Sequence, residues 1–458
     1  MASVCSKVFY CLTGGAELAL LRRVFQIGWP ATLEAVFVGL ASLFDTAMVG
    51  QLGTSAVSAV GLTNQPKFIC LAFILSLNVG VTALVSRRVG AEDRNGASKA
   101  FKQCLFLCLV ASTVICTVAF LFAKPFLILA GAQEDTLADA VSYFRLLMPG
   151  QFFQHLYITC NAAMRCAGNS RISLRTNIVS SLSNICLNYL LIGGNLGFPA
   201  LGVRGAAIAT SISYVLAFAV ALTSLLSPAC RLNIHTYRGW IPTRKLFRQL
   251  YSVVSGALLE NICLRIGFFI YSRTVAGLGT TPFAAHQICM NIANVTLLGF
   301  DGLGTAAAAL VGQDLGANRS DRAQKAAETC VRFSILLAVA LMCGLILFRR
   351  PLLECFSHDA AVLGPAAYIL IILACSMIGD GLCVSHAGAL RGAGDTRFVA
   401  MASLISVTLI RPALSWYLCY PAGLGLYGPW IGFFLDLWTR GILNTWHFRQ
   451  GRWKCIQL

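Results

Sequence analysis

Two stretches of the chain decide how the fold is organised: LVSRRVGAEDRNGASKAFKQC at residues 84–104 and LVGQDLGANRSDRAQKAAETC at residues 310–330. Eight of their 21 positions are identical. Residue 84 of the first stretch corresponds to residue 310 of the second, and the same difference in numbering holds along both stretches. We call this difference the repeat offset. Residues 161–172, NAAMRCAGNSRI, match residues 387–398, AGALRGAGDTRF, at the same offset. Two separate matches at one offset indicate an internal repeat that is about half as long as the chain.

A third match pairs residues 30–59 with residues 256–285, again at the repeat offset. Three ungapped matches at one offset indicate that the chain consists of two copies of one unit. We therefore predict two domains, an N-terminal lobe of residues 1–226 and a C-terminal lobe of residues 227–458.

The composition is that of a membrane protein. Of the 458 residues, 57% are hydrophobic and only 12% are charged, and the mean hydropathy is +0.74. Soluble domains carry about 25% charged residues, so a soluble enzyme and a disordered chain are excluded. Twelve apolar runs have the length of a membrane span, six in each half. An even number keeps both halves in one orientation, which predicts an all-α polytopic membrane protein with two parallel six-helix repeats.

Basic residues indicate the orientation of the chain in the membrane. The net charge is +17, and 26 of the 35 Lys and Arg residues fall on one side if the N-terminus is cytoplasmic. The positive-inside rule then places both termini in the cytoplasm of a plasma (inner) membrane protein. Because the lipid bilayer explains this charge, we predict no nucleic-acid partner, and we expect a monomer. The 19 cysteines show no metal-binding spacing and fit as apolar side chains.

Acidic residues inside the apolar runs are the first candidates for function, because a carboxylate in a bilayer is costly. Asp45 lies in the first run, and Asn184, Asn188 and Thr210 lie in the fifth and sixth runs. Together they would form an all-oxygen pocket that suits a shared proton or a hard monovalent cation such as Na⁺. Burial in a low-dielectric site favours the protonated carboxyl group. The alternative is that these side chains only join helices by hydrogen bonds.

A second set of polar residues suggests an acid-lined cavity for cationic, partly apolar ligands. The predicted cavity residues are Glu34, Glu260, Gln287, Asn291, Asp301 and Asp380. Aromatic side chains such as Phe268 could offer cation–π faces there, or could simply pack against lipid. Arg265 and Arg411 also fall in apolar runs, and both a functional role and a structural ion pair remain open for them. Pro412 predicts a kink beside Arg411.

Searches for catalytic motifs find none. The chain has no Walker motif, HExxH or GxSxG sequence. ATP is therefore not expected as the direct energy source, and neither an enzymatic activity nor an organic cofactor is predicted. Protons or Na⁺ remain as coupling ions.

Several segments together resemble the multidrug and toxic compound extrusion (MATE) family. They are FDTAMVG at 44–50, AHQ at 285–287, LVGQ at 310–313 and LRGAGD at 390–395. The resemblance covers residues 20–446 and implies twelve spans in two six-helix lobes, arranged as a V with a cavity between them. It also implies the export of organic cations across a plasma membrane in exchange for H⁺ or Na⁺.

The resemblance extends to single residues. Asp45 matches the ion-coupling aspartate of the family's first span, and Asn184 and Asn188 match an Asn-xxx-Asn/Asp pair in the fifth span. Asp380 matches an aspartate of NorM-like members. Glu260 departs from the pattern, because NorM-like members carry this glutamate one turn later, where the chain has Leu264. Here the chain is similar to a bacterial, NorM-related subgroup near the DinF-like branch.

Two other functions remain as alternatives. One is a flippase or exporter of a lipid-linked precursor or a metabolite on the related MOP architecture, whose cavities tend to be lined by several arginines. The other is a membrane-embedded enzyme, for which the chain lacks a nucleophile–base or metal constellation.

Overall fold

The computed structural model describes residues 18–52, 54–130, 134–227, 232, 239–354, 356 and 360–456. This part of the chain is almost entirely helical and contains no β-strand. It includes twelve helices of 24 to 37 residues. They are α1 (Leu18–Gly50), α2 (Thr54–Gly90), α3 (Arg94–Leu121), α4 (Glu134–Cys166), α5 (Ser170–Gly193), α6 (Gly202–Leu226), α7 (Arg244–Ala276), α8 (Thr280–Gly316), α9 (Ser320–Leu347), α10 (Ala360–Ala393), α11 (Thr396–Cys419) and α12 (Tyr427–Gln450).

Eight of these helices, as far as the structure describes them, are long and apolar enough to cross a membrane. The other four are α1, α4, α5 and α12, in which charged or amide side chains such as Asp45, Asn184 and Asp436 occur. Such groups can lie in a membrane span, provided that they find partners inside the protein.

Residues 33–251 form one compact unit in which α4 packs against α2, α3 and α6. Its buried core contains large apolar side chains of α4, such as Phe144 and Leu147, against small ones such as Ala59 and Ala206. Small residues at these contacts let the helices approach closely, which is the usual way in which membrane helices associate.

Residues 18–32 and 252–456 form the second compact unit, in which α10 packs against α8, α9 and α12. Gly388 and Gly392 of α10 touch the backbone of α8 so closely that an added Cβ would come within 2.2 Å of the Gly304 oxygen and 2.1 Å of the Ala308 oxygen. Because this division falls inside α1, the predicted lobes 1–226 and 227–458 stay a prediction.

The internal repeat is visible in the turns of the structure. Glu92 and Asn318 have φ angles of 59° and 57°, and Gly168 and Gly394 have φ angles of 86° and 89°. The members of each pair are separated by the repeat offset. The turns after α4 and α10 also close with the same bond, since the residue after each glycine donates its N–H to the carbonyl five residues earlier.

Two ion pairs occupy corresponding positions in the two copies of the repeat. Arg165 in the last turn of α4 lies 3.0 Å from Glu34 of α1, and Arg391 in the last turn of α10 binds Glu260 of α7. Each arginine follows its glutamate by 131 residues. Ser173 and Asn177 also donate to Glu34, at 2.7 and 2.8 Å. An ion pair therefore joins the first helix of each half to the fourth.

One helix departs from the repeat. The middle of α11, Leu404–Ile410, is a π-helix between two α-helical segments, and Arg411 donates its N–H to Ser406, five residues back. Pro412 follows directly and has no N–H to give. The kink predicted at Pro412 is therefore a widened turn. Gly267 of α7 fits against it, because an added Cβ would lie 2.3 Å from the carbonyl oxygen of Val407.

We predict that the two ion pairs stabilise the fold unequally. Arg165→Gln leaves Glu34 with two other donors, whereas Arg391→Gln removes the donor of both hydrogen bonds to the nearly buried Glu260. Losing one partner of a buried pair costs about 3 kcal/mol. The Arg391 variant should therefore lower the Tm by about 5 °C, and the Arg165 variant should lower it less.

Thermal unfolding of the purified protein in detergent measures this difference. The exposed Arg171 and Arg397, which are themselves repeat partners, supply the matched Arg→Gln controls and should leave the Tm nearly unchanged. An Arg391→Gln variant that unfolds at the same temperature as Arg397→Gln would contradict the prediction.

Candidate functional site

The polar residues predicted for an ion site meet on one side of the first unit. Asp45 comes from α1, Asn184 and Asn188 from α5, and Thr210 from α6. Asn184 and Asn188 are one turn apart, so they share a face of their helix. Gly205 permits the contact between α5 and α6, because an added Cβ would lie 2.3 Å from the Leu191 oxygen.

These four side chains form a continuous chain of hydrogen bonds. Asn188 donates its amide Nδ2 to Asp45 Oδ1 and, at 3.3 Å, to Asn184 Oδ1. Asn184 donates Nδ2 to Thr210 Oγ1 at 3.1 Å, and Thr210 donates to the Ala206 carbonyl at 2.9 Å. The remaining oxygen, Asn188 Oδ1, is buried and has no partner in the described part of the chain. The site thus combines a single carboxyl group with neutral polar groups.

Lys67 is the residue that the sequence analysis missed. It lies on α2, in an otherwise apolar stretch, is half-buried, and interacts electrostatically with Asp45. Its ammonium nitrogen lies 5.7 Å from the ring centre of Phe68. Its position inside an apolar run was a usable signal, because a lysine is as costly there as an aspartate. Asp45 therefore faces a positive charge as well as an amide donor.

Glu34, predicted for the substrate cavity, lies in the ion pair with Arg165. Arg165, Ser173 and Asn177 all donate to its carboxylate. Glu260 is held by Arg391 in the same way, through both guanidinium nitrogens Nε and Nη2. These contacts give both glutamates a structural partner. Their contribution to a substrate cavity stays a prediction.

The other predicted cavity residues lie on α8 and α10. Gln287, Asn291 and Asp301 are exposed and follow one side of α8. Asp380 of α10 is buried, and it interacts electrostatically with Asp301. Two carboxyl groups thus influence each other in the second unit, and an exposed polar strip leads along α8.

The chemistry that these groups allow is the binding of cations rather than bond cleavage. The described residues contain no group of three His, Cys, Asp or Glu side chains that could hold a metal ion. The carboxyl group of Asp45 can take up or release a proton, and its amide and hydroxyl neighbours can also offer oxygen to an alkali cation. The Asp301–Asp380 pair can attract a positively charged ligand.

The sequence of the whole chain is similar to known proteins. The MatE family model matches twice, over residues 30–190 and 257–417. The chain is 30% identical, over 89% of its length and 88% of the relative's, to a "Probable multidrug resistance protein NorM" of Bradyrhizobium diazoefficiens. It is 24% identical, over 94% of its length and 93% of the relative's, to a protein of the same name in Thermotoga maritima.

Solved structures show the same fold. A MATE transporter mutant of Vibrio cholerae superposes with a TM-score of 0.88, covering 95% of this chain and 98% of that one at 19% identity. A Pyrococcus furiosus MOP superfamily transporter, described as having a binding pocket of reverse polarity, gives 0.87, covering 96% and 97% at 21% identity.

The double match of the family model confirms the internal repeat, and the structural likeness confirms the twelve-helix membrane fold predicted from the apolar runs. The resemblance noted from short motifs therefore holds over most of the chain, 89% of it for the Bradyrhizobium relative and 94% for the Thermotoga relative. The chain belongs to the MatE family and is a multi-pass membrane transporter, not an enzyme.

Proposed function

We propose that the protein is a secondary antiporter that exports small organic cations across the plasma membrane in exchange for protons bound at Asp45. The observation that carries the proposal is the hydrogen-bonded chain from Asp45 through Asn188 and Asn184 to Thr210. The names of the relatives, probable multidrug resistance proteins, support export of small molecules. We also propose that both termini are cytoplasmic and that the protein acts as a monomer.

Asp45 suits proton exchange because it is the only acid of this chain of hydrogen bonds and faces Lys67. In its ionised form it attracts the lysine ammonium and accepts from Asn188. Protonation removes the negative charge and weakens both interactions. Since the three groups belong to α1, α2 and α5, the protonation state of one side chain affects how these helices pack together.

The substrate class follows from the charge of the second unit. Asp301 and Asp380 interact electrostatically with each other, and also with Arg391 and Arg440 respectively, and the exposed Gln287 and Asn291 continue the polar strip on α8. These groups favour a positively charged ligand over the anionic pyrophosphate of a lipid-linked precursor. A lipid-linked or metabolite substrate is the alternative, and it becomes the better proposal if no organic cation is transported.

Na⁺ is the second candidate for the coupling ion. The observation that favours it is Asn188 Oδ1, a buried oxygen without a partner in the described part of the chain. A Na⁺ ion would need this oxygen together with those of Asp45, Asn184 and Thr210. Only one of the four groups can carry a negative charge, which supports the proton as the first choice.

We predict that Asp45→Asn abolishes ion-driven export. The amide cannot exchange a proton, and it keeps the size of the side chain. Efflux of a fluorescent organic cation from reconstituted vesicles, under an imposed pH gradient or an imposed Na⁺ gradient, measures the effect. The export rate should fall at least about tenfold, which corresponds to an increase of about 1.4 kcal/mol in the activation free energy.

Asp139→Asn, an exposed aspartate on α4, serves as the matched control and should transport at the wild-type rate. Full gradient-driven export by Asp45→Asn would refute the coupling role of Asp45. If neither gradient moves an organic cation in the wild type, the substrate class is wrong, and vesicles carrying a lipid-linked sugar become the next test.

We predict that Asn188→Asp changes the ion dependence. A second carboxyl group beside Asp45 gives a monovalent cation two acidic ligands, and close carboxylates bind a shared cation better than one does. The wild type should respond to the pH gradient alone, and the variant should gain a response to the Na⁺ gradient. A wild type that already responds to Na⁺ alone would identify Na⁺ as the coupling ion.

A further inference from the structure

The second half contains a buried cation whose ion pair is too long for a hydrogen bond. The guanidinium of Arg411 on α11 is 0% exposed. Its three nitrogens have no hydrogen-bond partner in the part of the chain that the structure describes. The nearest carboxylate oxygen, Asp436 Oδ2, is 3.7 Å away, beyond normal hydrogen-bonding distance. A charge buried in this way needs another source of stabilisation.

Three aromatic rings surround that charge. The guanidinium carbon lies 4.1 Å from the ring centre of Tyr271, 4.3 Å from that of Phe268 and 4.6 Å from that of Phe433. All three distances are well inside the range in which the face of an aromatic ring attracts a cation. We call Phe268, Tyr271 and Phe433 the aromatic cage.

Asp436 stands beside the cage but is bound mainly by other groups. Arg440 donates to both of its oxygens at 3.0 Å, and Ser406 of the π-helix donates to one of them at 2.6 Å. The carboxylate therefore lies next to Arg411 without forming a direct hydrogen bond to it. Aromatic faces together with a nearby acid are the combination that recognises organic cations.

The repeat relates this cluster to the Asp45 site. Tyr271 follows Asp45 by the repeat offset, and Asp436 follows Thr210 by the same offset. The π-helix adds one residue to α11. Arg411 follows Asn184 by the repeat offset plus one position, and it therefore takes the place in the second half that Asn184 has in the first. Asn184 contacts Thr210, and Arg411 correspondingly approaches Asp436.

We propose that the second half holds a binding site for a planar organic cation, formed by the aromatic cage and Asp436, which the chain itself occupies with the guanidinium of Arg411. The tethered guanidinium keeps Asp436 from exchanging an ion, so that, of the two clusters related by the repeat, ion coupling is confined to the Asp45 site. The inference that Arg411 occupies the aromatic cage rests on the contacts given above. The inference that ion coupling is confined to the Asp45 site rests on the proposed function.

The test removes the Arg411 side chain from the aromatic cage and adds a free cation that can bind in its place. Arg411→Gly removes the side chain and leaves a space between the rings, and free guanidinium at about 1–30 mM is the probe. Ligand binding to the folded state raises stability with ligand concentration. The Tm of the purified variant should fall without guanidinium and rise, with saturation, when it is added. The wild type should show no such rise.

Arg411→Met is the matched control, because its side chain fills the cage and leaves no room for the probe. Its Tm should not respond to guanidinium. Arg440→Gly removes the other guanidinium from Asp436, outside the cage, and it should respond much less than Arg411→Gly. If Arg411→Gly gains no stability from guanidinium, or if Arg411→Met gains as much, the proposed site does not exist.

A double-mutant cycle keeps the proposal testable if the glycine variant does not fold. Phe268 is 37% exposed, so Phe268→Leu should be tolerated. It should lower the Tm clearly more when Arg411 is present than in the Arg411→Met background, since only the arginine gains from the ring face. Equal effects in the two backgrounds would overturn the proposal.

The confinement of coupling has a separate readout. In reconstituted vesicles, Arg411→Gly should export the fluorescent cation faster when guanidinium is present on both sides, and Asp45→Asn should remain inactive with or without it. If guanidinium raises the Tm of Arg411→Gly while Asp45→Asn still exports the fluorescent cation, the binding site in the aromatic cage is supported and the proposed function is refuted. Export by Arg411→Gly that is driven by a guanidinium gradient while Asp45 is replaced would refute the confinement of coupling.

Discussion

Each half depends on a glutamate of its first helix that is held by an arginine from the last turn of its fourth helix. Glu34 with Arg165, and Glu260 with Arg391, bring opposite charges together in helices that are otherwise apolar. A carboxylate separated from its arginine in such surroundings loses its compensating charge, at a cost that is larger for Glu260 than for Glu34, which keeps Ser173 and Asn177 as donors. The pairs therefore restrict how far the first and fourth helices can slide along each other, and they fix the positions of the polar groups further along α1.

The two halves share this arrangement of the first and fourth helices but carry different polar side chains on it. In the first half, α1 supplies the acid Asp45, and α5 and α6 supply neutral amide and hydroxyl groups. In the second half, α7 supplies Tyr271 at the corresponding place, and the acid, Asp436, comes from α12. One half thus keeps a carboxyl group that is hydrogen-bonded to an amide and interacts electrostatically with Lys67, while Asp436 of the other half lies beside two guanidinium groups. A duplicated fold can in this way hold one adjustable site and one fixed site.

Much of the fold could be predicted from the sequence, because it depends on local patterns. Apolar runs, the constant repeat offset and the one-turn interval between Asn184 and Asn188 are properties of neighbouring residues or of plain repetition. The partners of single charges were harder to predict. The ion pair of Glu34 with Arg165 and the position of Lys67 were missed, because such contacts join helices that are far apart in sequence. The repeat itself held the missing clue, since it aligns Glu34 with Glu260 and Arg165 with Arg391.

The π-helix of α11 has a consequence for comparing the two halves. The wide turn takes up one extra residue, so the residues of α11 that follow it keep their places on the helix but are numbered one position later than their counterparts in α5. Positions up to Ser403 therefore correspond at the repeat offset, and positions from Arg411 onward correspond at one position more, until α12 restores the original register. Any exchange of segments between the halves, or any alignment that superposes them, has to shift its register within Leu404–Ile410. A single inserted residue, taken up by a π-helix, thus changes the numbering that relates the two copies of a duplicated helix while the corresponding neighbours are kept.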